Sequence, residues 1–75
     1  GNDNPIQQFI KEKCILQSDL SISNKELVQA FNGWNNSNIS TTKFALEFKD
    51  IAIQLGLLKK RTKHGMMWEG VGFKL

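Results

Sequence analysis

Nineteen residues, Leu57–Leu75, limit what this chain can fold into more than any other stretch. They read LLKKRTKHGMMWEGVGFKL: a short apolar start, four cations within five positions, a glycine, and a second extended run. His64-Gly65 between two strand-like segments predicts a tight hairpin turn. With those two residues as the loop, Lys63 is expected opposite Met66, Arg61 opposite Trp68, Lys60 opposite Glu69 and Leu58 opposite Val71. Side-chain alternation then puts Leu58, Val71 and Phe73 on a face that can sit on a core, with Lys60–Glu69 as an opposite-charge cross-strand pair. The other face carries Lys59, Arg61, Lys63 and Trp68. A basic hairpin after a helix has the form of a wing.

Charge is concentrated in the same place. Residues 1–55 hold five Lys against six acids, a balance of −1, whereas residues 56–75 hold five cations against Glu69 alone, a balance of +4. Cations gathered at one end point to a polyanionic partner, although lysines on a strand edge also serve to block edge-to-edge association. The length of 75 residues predicts one domain with one modest core. A lone Cys14 excludes an intramolecular disulfide and a cysteine-based zinc cluster, and suits a reducing, cytoplasmic compartment. No apolar run is long enough to span a bilayer, so no membrane partner is expected.

Upstream, the chain reads as three helices. Asn4-Pro5 opens the first, with Asn as cap and Pro at the first helical position. Ile6, Phe9, Ile10 and Cys14 recur at helical spacing and mark its buried side, where Cys14 is expected to be an inert thiol. Gln17–Ile22 is polar and turn-like, with Leu20 and Ile22 alternating as in a brief extended segment. Ser23-Asn24-Lys25-Glu26 is a capping box that starts a second helix, with Leu27, Val28, Phe31 and Trp34 as its apolar stripe. After the polar loop Asn35–Asn38, Ser40 or Thr41 caps a third helix that ends at Leu55, with Gly56 as the left-handed stop. Its buried stripe is Phe44, Phe48, Ile51 and Leu55, and its outer face mixes Thr42, Lys43, Leu46, Glu47, Lys49, Asp50 and Ile53. The expected core is Ile6, Phe9, Ile10, Leu27, Phe31, Phe44, Phe48, Ile51, Leu55, Leu58, Val71 and Phe73. The fold class that follows is α+β, a winged helix-turn-helix with three helices and a two- or three-stranded β-wing.

The residue types argue against catalysis. His64 is the single histidine and has no carboxylate beside it in sequence. Carboxylates are scattered, serines and threonines sit at caps and turns, and Gly70-Val71-Gly72 lies in a strand with no helix after it, unlike a phosphate-cradling loop. No catalytic residue, metal site, cofactor or small-molecule substrate is expected.

The run FKDIAIQLGLLKKRTKHGMMWEGVGFKL resembles the C-terminal module of phage-, plasmid- and poxvirus-type primase–helicases, which join a primase-like region to a superfamily-3 helicase motor. The resemblance is carried by Phe44 and Phe48, the pair Leu55-Gly56, the basic Lys60 and Arg61, Gly65, and the closing run Trp68–Val71. Lys25-Glu26-Leu27 with Phe31 and Trp34 is similar to the family's second helix. It implies that residues 1–75 form a single winged-helix domain, a fragment of a larger primase–helicase, and that Lys60 and Arg61 bind DNA. None of the primase or motor motifs is present, so neither activity is expected of this stretch.

Charge extends the expected DNA-contacting set to Thr41, Thr42, Lys43, Lys49, Lys59, Lys63 and His64. Thr41, Thr42 and Lys43 lie where free N–H groups of a helix start can hold phosphate. The expected function is backbone binding to duplex or forked DNA through a basic wing. A second reading is a module that docks on the helicase motor of the same chain or on another replication protein, motivated by Leu46 and Ile53 on an outward face.

Overall fold

The computed structural model describes residues 4–74. The ends of the expected 1–75 domain, residues 1–3 and 75, lie outside the described residues. Six elements follow in order: α1 (Pro5–Lys13), β1 (Cys14–Ser23), α2 (Asn24–Asn35), α3 (Thr41–Leu55), β2 (Leu58–Thr62) and β3 (Gly65–Phe73). Three helices pack with one antiparallel sheet of strand order β1-β3-β2. This α+β arrangement is consistent with the winged-helix-like order expected from the sequence.

Local chemistry sets the helix ends. Asn4 Oδ1 accepts from Ile6 N at 2.8 Å, Ser23 Oγ from Glu26 N at 3.1 Å and Ser40 Oγ from Lys43 N at 3.1 Å. At the end of α3, Gly56 adopts φ 76° and Leu57 N donates to Ala52 O at 2.8 Å. That is a Schellman stop, and Leu57, the residue after its glycine, is buried as such motifs favour. Between α2 and α3, Asn32 closes the turn: its Oδ1 accepts from Ser37 Oγ and Ile39 N, and its Nδ2 donates to Ile39 O.

β1 departs from expectation. It begins at Cys14, which is extended (φ −123°, ψ 157°) rather than helical, and it runs for 10 residues. Cys14 is nonetheless buried, whereas Ile15 and Leu16, which follow it, are exposed. The polar stretch that looked turn-like is an irregularity within the strand. Register runs Cys14↔Phe73, Ile15↔Gly72 and Leu16↔Val71, then resumes at Ser21↔Glu69, Ile22↔Trp68 and Ser23↔Met67. Residues 17–20 on β1 thus stand against Gly70 alone, an insertion larger than the common two-against-one bulge.

The hairpin register is also corrected. Lys63 and His64 form the loop, so Thr62 pairs with Gly65, Arg61 with Met66, Lys60 with Met67, Lys59 with Trp68 and Leu58 with Glu69. Gly65 was expected inside the loop; instead it sits just after it at φ 111°, supplying the left-handed residue the turn needs. Thr62 closes the turn, its Oγ1 accepting from His64 N at 3.1 Å and donating to Gly65 O at 3.0 Å. Every partner moves by two positions along β3, so among the paired residues 58–62 and 65–69 the membership of the two faces survives.

Which face meets the core does not survive. Trp68 is 2% exposed, whereas Leu58 is 64% exposed and both Phe73 and Leu55 lie at the surface, so those last three leave the expected core. Gly70 is the reason. At φ 101° it breaks the two-residue alternation, so that Trp68 and Val71, three positions apart, both point inward. A Cβ on Gly70 would also stand 3.0 Å from Leu57 Cδ2. Ile22, Val28, Ala52, Leu57 and Cys14 complete the core beyond the expected set. A chain of aromatic contacts runs through it, Phe9 to Phe31 at 5.6 Å, Phe31 to Phe44 and Phe44 to Phe48 at 5.5 Å, and Phe48 edge-on to Trp68 at 4.8 Å between centroids. Such pairs add roughly 0.5–1.5 kcal/mol each beyond their area. They tie all three helices to β3.

Candidate nucleic-acid interface

Because Trp68 faces the helices, so do its cross-strand neighbours. Lys59 pairs with Trp68 and Arg61 with Met66, and both cations leave β2 on the side turned toward α3. There the sheet, the first half of α3 and the start of α2 enclose an open groove of about 780 Å³. The hairpin contributes Lys59, Arg61 and His64 to its lining, α3 contributes Thr41, Thr42 and Lys49, and α2 contributes Lys25. Among the described residues no Asp or Glu lines it; Glu47 and Asp50 of α3 fall outside.

One buried polar side chain holds the walls together. Asn24, at the first position of α2, is 6% exposed. Its Nδ2 donates to Thr41 O at 3.2 Å, and its Oδ1 accepts from Trp68 Nε1 at 3.0 Å. One amide therefore links the starts of α2 and α3 to the centre of β3, and among the described residues no buried side-chain polar atom is left without a partner. At the α3 start, Ser40 takes the N–H groups of Lys43 and Phe44. The N–H groups of Thr41 and Thr42 belong to the first turn, which has no intrahelical acceptor to give them. With the helix dipole behind them they favour an anion at this wall.

The nine expected site residues divide. Thr41, Thr42, Lys49, Lys59, Arg61 and His64 line the groove; Lys43, Lys60 and Lys63 do not. Lys60 projects from the opposite face of β2, its Nζ 3.6 Å from Glu69 Oε2. The expected Lys60–Glu69 pair thus exists as a diagonal contact rather than a direct cross-strand one. With side chains 63% and 38% exposed, it contributes little to stability. Lys60 and Arg61, joined by the family resemblance, point to opposite sides of the sheet. Trp68 shares the face of Lys59 and Arg61, as alternation predicts, but Lys25 and Asn24 lie outside the expected set. The sequence marks them as parts of a helix start, and their position beside α3 depends on the Asn24–Thr41 contact, which has no local signal.

Elsewhere, burial pushes the Cys14 thiol up from 9.0 to about 11, with Lys74 pulling weakly the other way. Such a thiol is a poor nucleophile. Among the described residues no three His, Cys, Asp or Glu side chains gather as metal ligands would, and no helix is long and apolar enough to cross a membrane.

Comparison with protein-family models, with curated proteins and with solved structures finds no match to this chain.

Proposed function

We propose that the chain is a winged helix-turn-helix domain that binds DNA, duplex or forked, by seating a phosphate backbone in the groove between α3 and the β2–β3 wing. The observation that carries this reading is the groove itself: four cations, Lys25, Lys49, Lys59 and Arg61, from three separate elements, with no carboxylate among the lining residues. Cations scattered for solubility alone would be interspersed with acids, as on the outer face of α3. Arg61 offers a planar fork suited to phosphate oxygens, the lysines act as point charges, and Thr41 and Thr42 add hydroxyl and backbone donors. The part of α3 that lines the groove carries no Arg, Asn or Gln, the side chains that read base edges in bidentate fashion, which favours contacts to the backbone over sequence readout. The same proposal makes the domain part of a primase–helicase, supported by the resemblance at Phe44, Phe48, Leu55-Gly56 and Trp68–Val71.

Titration of labelled duplex and forked DNA at low and moderate salt tests the reading. Affinity that falls steeply with salt supports it; salt-independent or absent binding refutes it.

A second reading, docking on a helicase motor or another replication protein, is favoured by Leu46 and Ile53, which are 68% and 69% exposed on α3. Leu46 borders the groove, so Leu46→Ser and Ile53→Ser should weaken a protein contact while leaving the salt dependence of DNA binding intact.

A further inference from the structure

At the end of the molecule away from the groove, we propose a second nucleic-acid site, a cleft that stacks one unpaired base of a single strand. It goes beyond the groove reading and rests on different residues. α2 runs from Asn24 and Lys25 at the groove to Trp34 at the cleft, and β3 from Met66 to Phe73, so the two sites are separated by on the order of 15 Å.

The cleft encloses about 430 Å³, with buried Phe9 as its floor and Trp34 and Phe73 as walls. Lys13 and Lys74 form the rim, and among the described residues no carboxylate lines the cleft. Trp34 is fixed in place, its ring 5.6 Å from that of Phe9 and 6.3 Å from that of Phe31. Phe73 is 39% exposed, so part of its ring is open to a ligand. The rim is equally ordered: Lys74 N donates to Lys13 O at 2.9 Å, and Lys74 Nζ gives one of its three hydrogens to Lys11 O at 2.9 Å. Rigid aromatic faces beside cations are what single strands use, base on ring and phosphate on ammonium, without reading sequence. A proline-rich peptide also packs on aromatic clefts, but it carries no charge for two lysines to meet. Paired bases are already stacked and have no ring face to offer. A domain with both sites would hold duplex and unpaired strand at once, as at a fork.

The test uses a twelve-nucleotide oligo-dT, its hairpin-duplex counterpart and a proline-rich decapeptide, with binding read by anisotropy and tryptophan emission. Oligo-dT is expected to quench the emission of Trp34. Phe73→Ser should weaken oligo-dT binding about tenfold, the loss of one base–aromatic stack, and leave duplex affinity unchanged. Lys13→Glu, on an exposed position that cannot upset the core, should weaken oligo-dT binding as well. The pair Lys59→Gln and Arg61→Gln should do the reverse, lowering duplex affinity more than oligo-dT affinity. Oligo-dT binding that ignores both cleft variants overturns the proposal, as does quenching by the peptide and not by oligo-dT. Because the two sets of variants act on different ligands, the cleft can fail while the groove stands.

Discussion

Replacing Asn24 by Ala removes both hydrogen bonds of the side chain that joins α2, α3 and β3. Trp68 Nε1 is left without its acceptor in a residue 2% exposed, and the Thr41 carbonyl loses its side-chain donor while keeping its place in the helix. An unsatisfied buried donor costs about 1–3 kcal/mol, and the carbonyl adds less because its helical donor remains. A loss of about 2 kcal/mol follows, and for a domain of this size each kcal/mol moves Tm by about 4–8 °C, so Tm should fall by about 8–16 °C. Differential scanning fluorimetry with circular dichroism measures it. Trp68→Phe removes the donor and leaves Asn24 Oδ1 as the orphan, so the two changes should not add; a double-mutant cycle should return a coupling of about 1 kcal/mol. A shift of under 2 °C for Asn24→Ala, or full additivity in the cycle, would show that this amide does not hold the groove walls together.

Other perturbations probe the corrected sheet. Gly70→Ala places a side chain at φ 101° and against Leu57, and should cost about 1–3 kcal/mol by urea unfolding. Leu58→Lys should change stability by under about 0.5 kcal/mol, because Leu58 is 64% exposed; a loss of several kcal/mol would restore it to the core. Cys14 should react with a disulfide reagent at pH 8 far more slowly in the native than in the unfolded protein. Its folded pKa of about 11 lies above the ordinary 9.0, so the folded form holds its proton more tightly. That contribution is complete below pH 9 and is lost as pH rises toward 11, and the urea midpoint should fall over this window more steeply than in Cys14→Ala.

The features legible in the sequence were those with local causes. Asn4, Ser23, Ser40 and Gly56 each satisfy backbone groups within a few residues, and all four act as expected. Helical stripes such as Phe44 and Phe48 survive for the same reason. The sheet was harder, because its geometry depends on partners far away. Gln17–Leu20 looks like a turn because it is polar, yet pairing with β3 on both sides keeps it inside a strand. Trp68 and Val71 cannot share a face under strict alternation, and only the positive φ of Gly70 reconciles them. For the groove, alternation did bring Lys59 and Arg61 together and set Lys60 apart, while the family resemblance joined Lys60 to Arg61. Lys25 could not be found from its neighbours at all. It reaches the groove through a contact between Asn24 and Thr41, seventeen residues apart.

The central claim is that phosphate is met by the groove face of β2 and not by its other face. The most direct measurement is the salt slope of duplex affinity in Lys59→Gln/Arg61→Gln beside Lys60→Gln. Each lost phosphate contact removes about 0.9 from the log–log slope, so the double variant should be flatter by about 1.8. If four contacts operate in the parent, raising salt from 50 to 200 mM should weaken its binding about 150-fold and that of the double variant about 12-fold. Lys60→Gln should keep the parent slope. A slope unchanged in the double variant, or lowered as much by Lys60→Gln alone, would contradict the assignment of the groove.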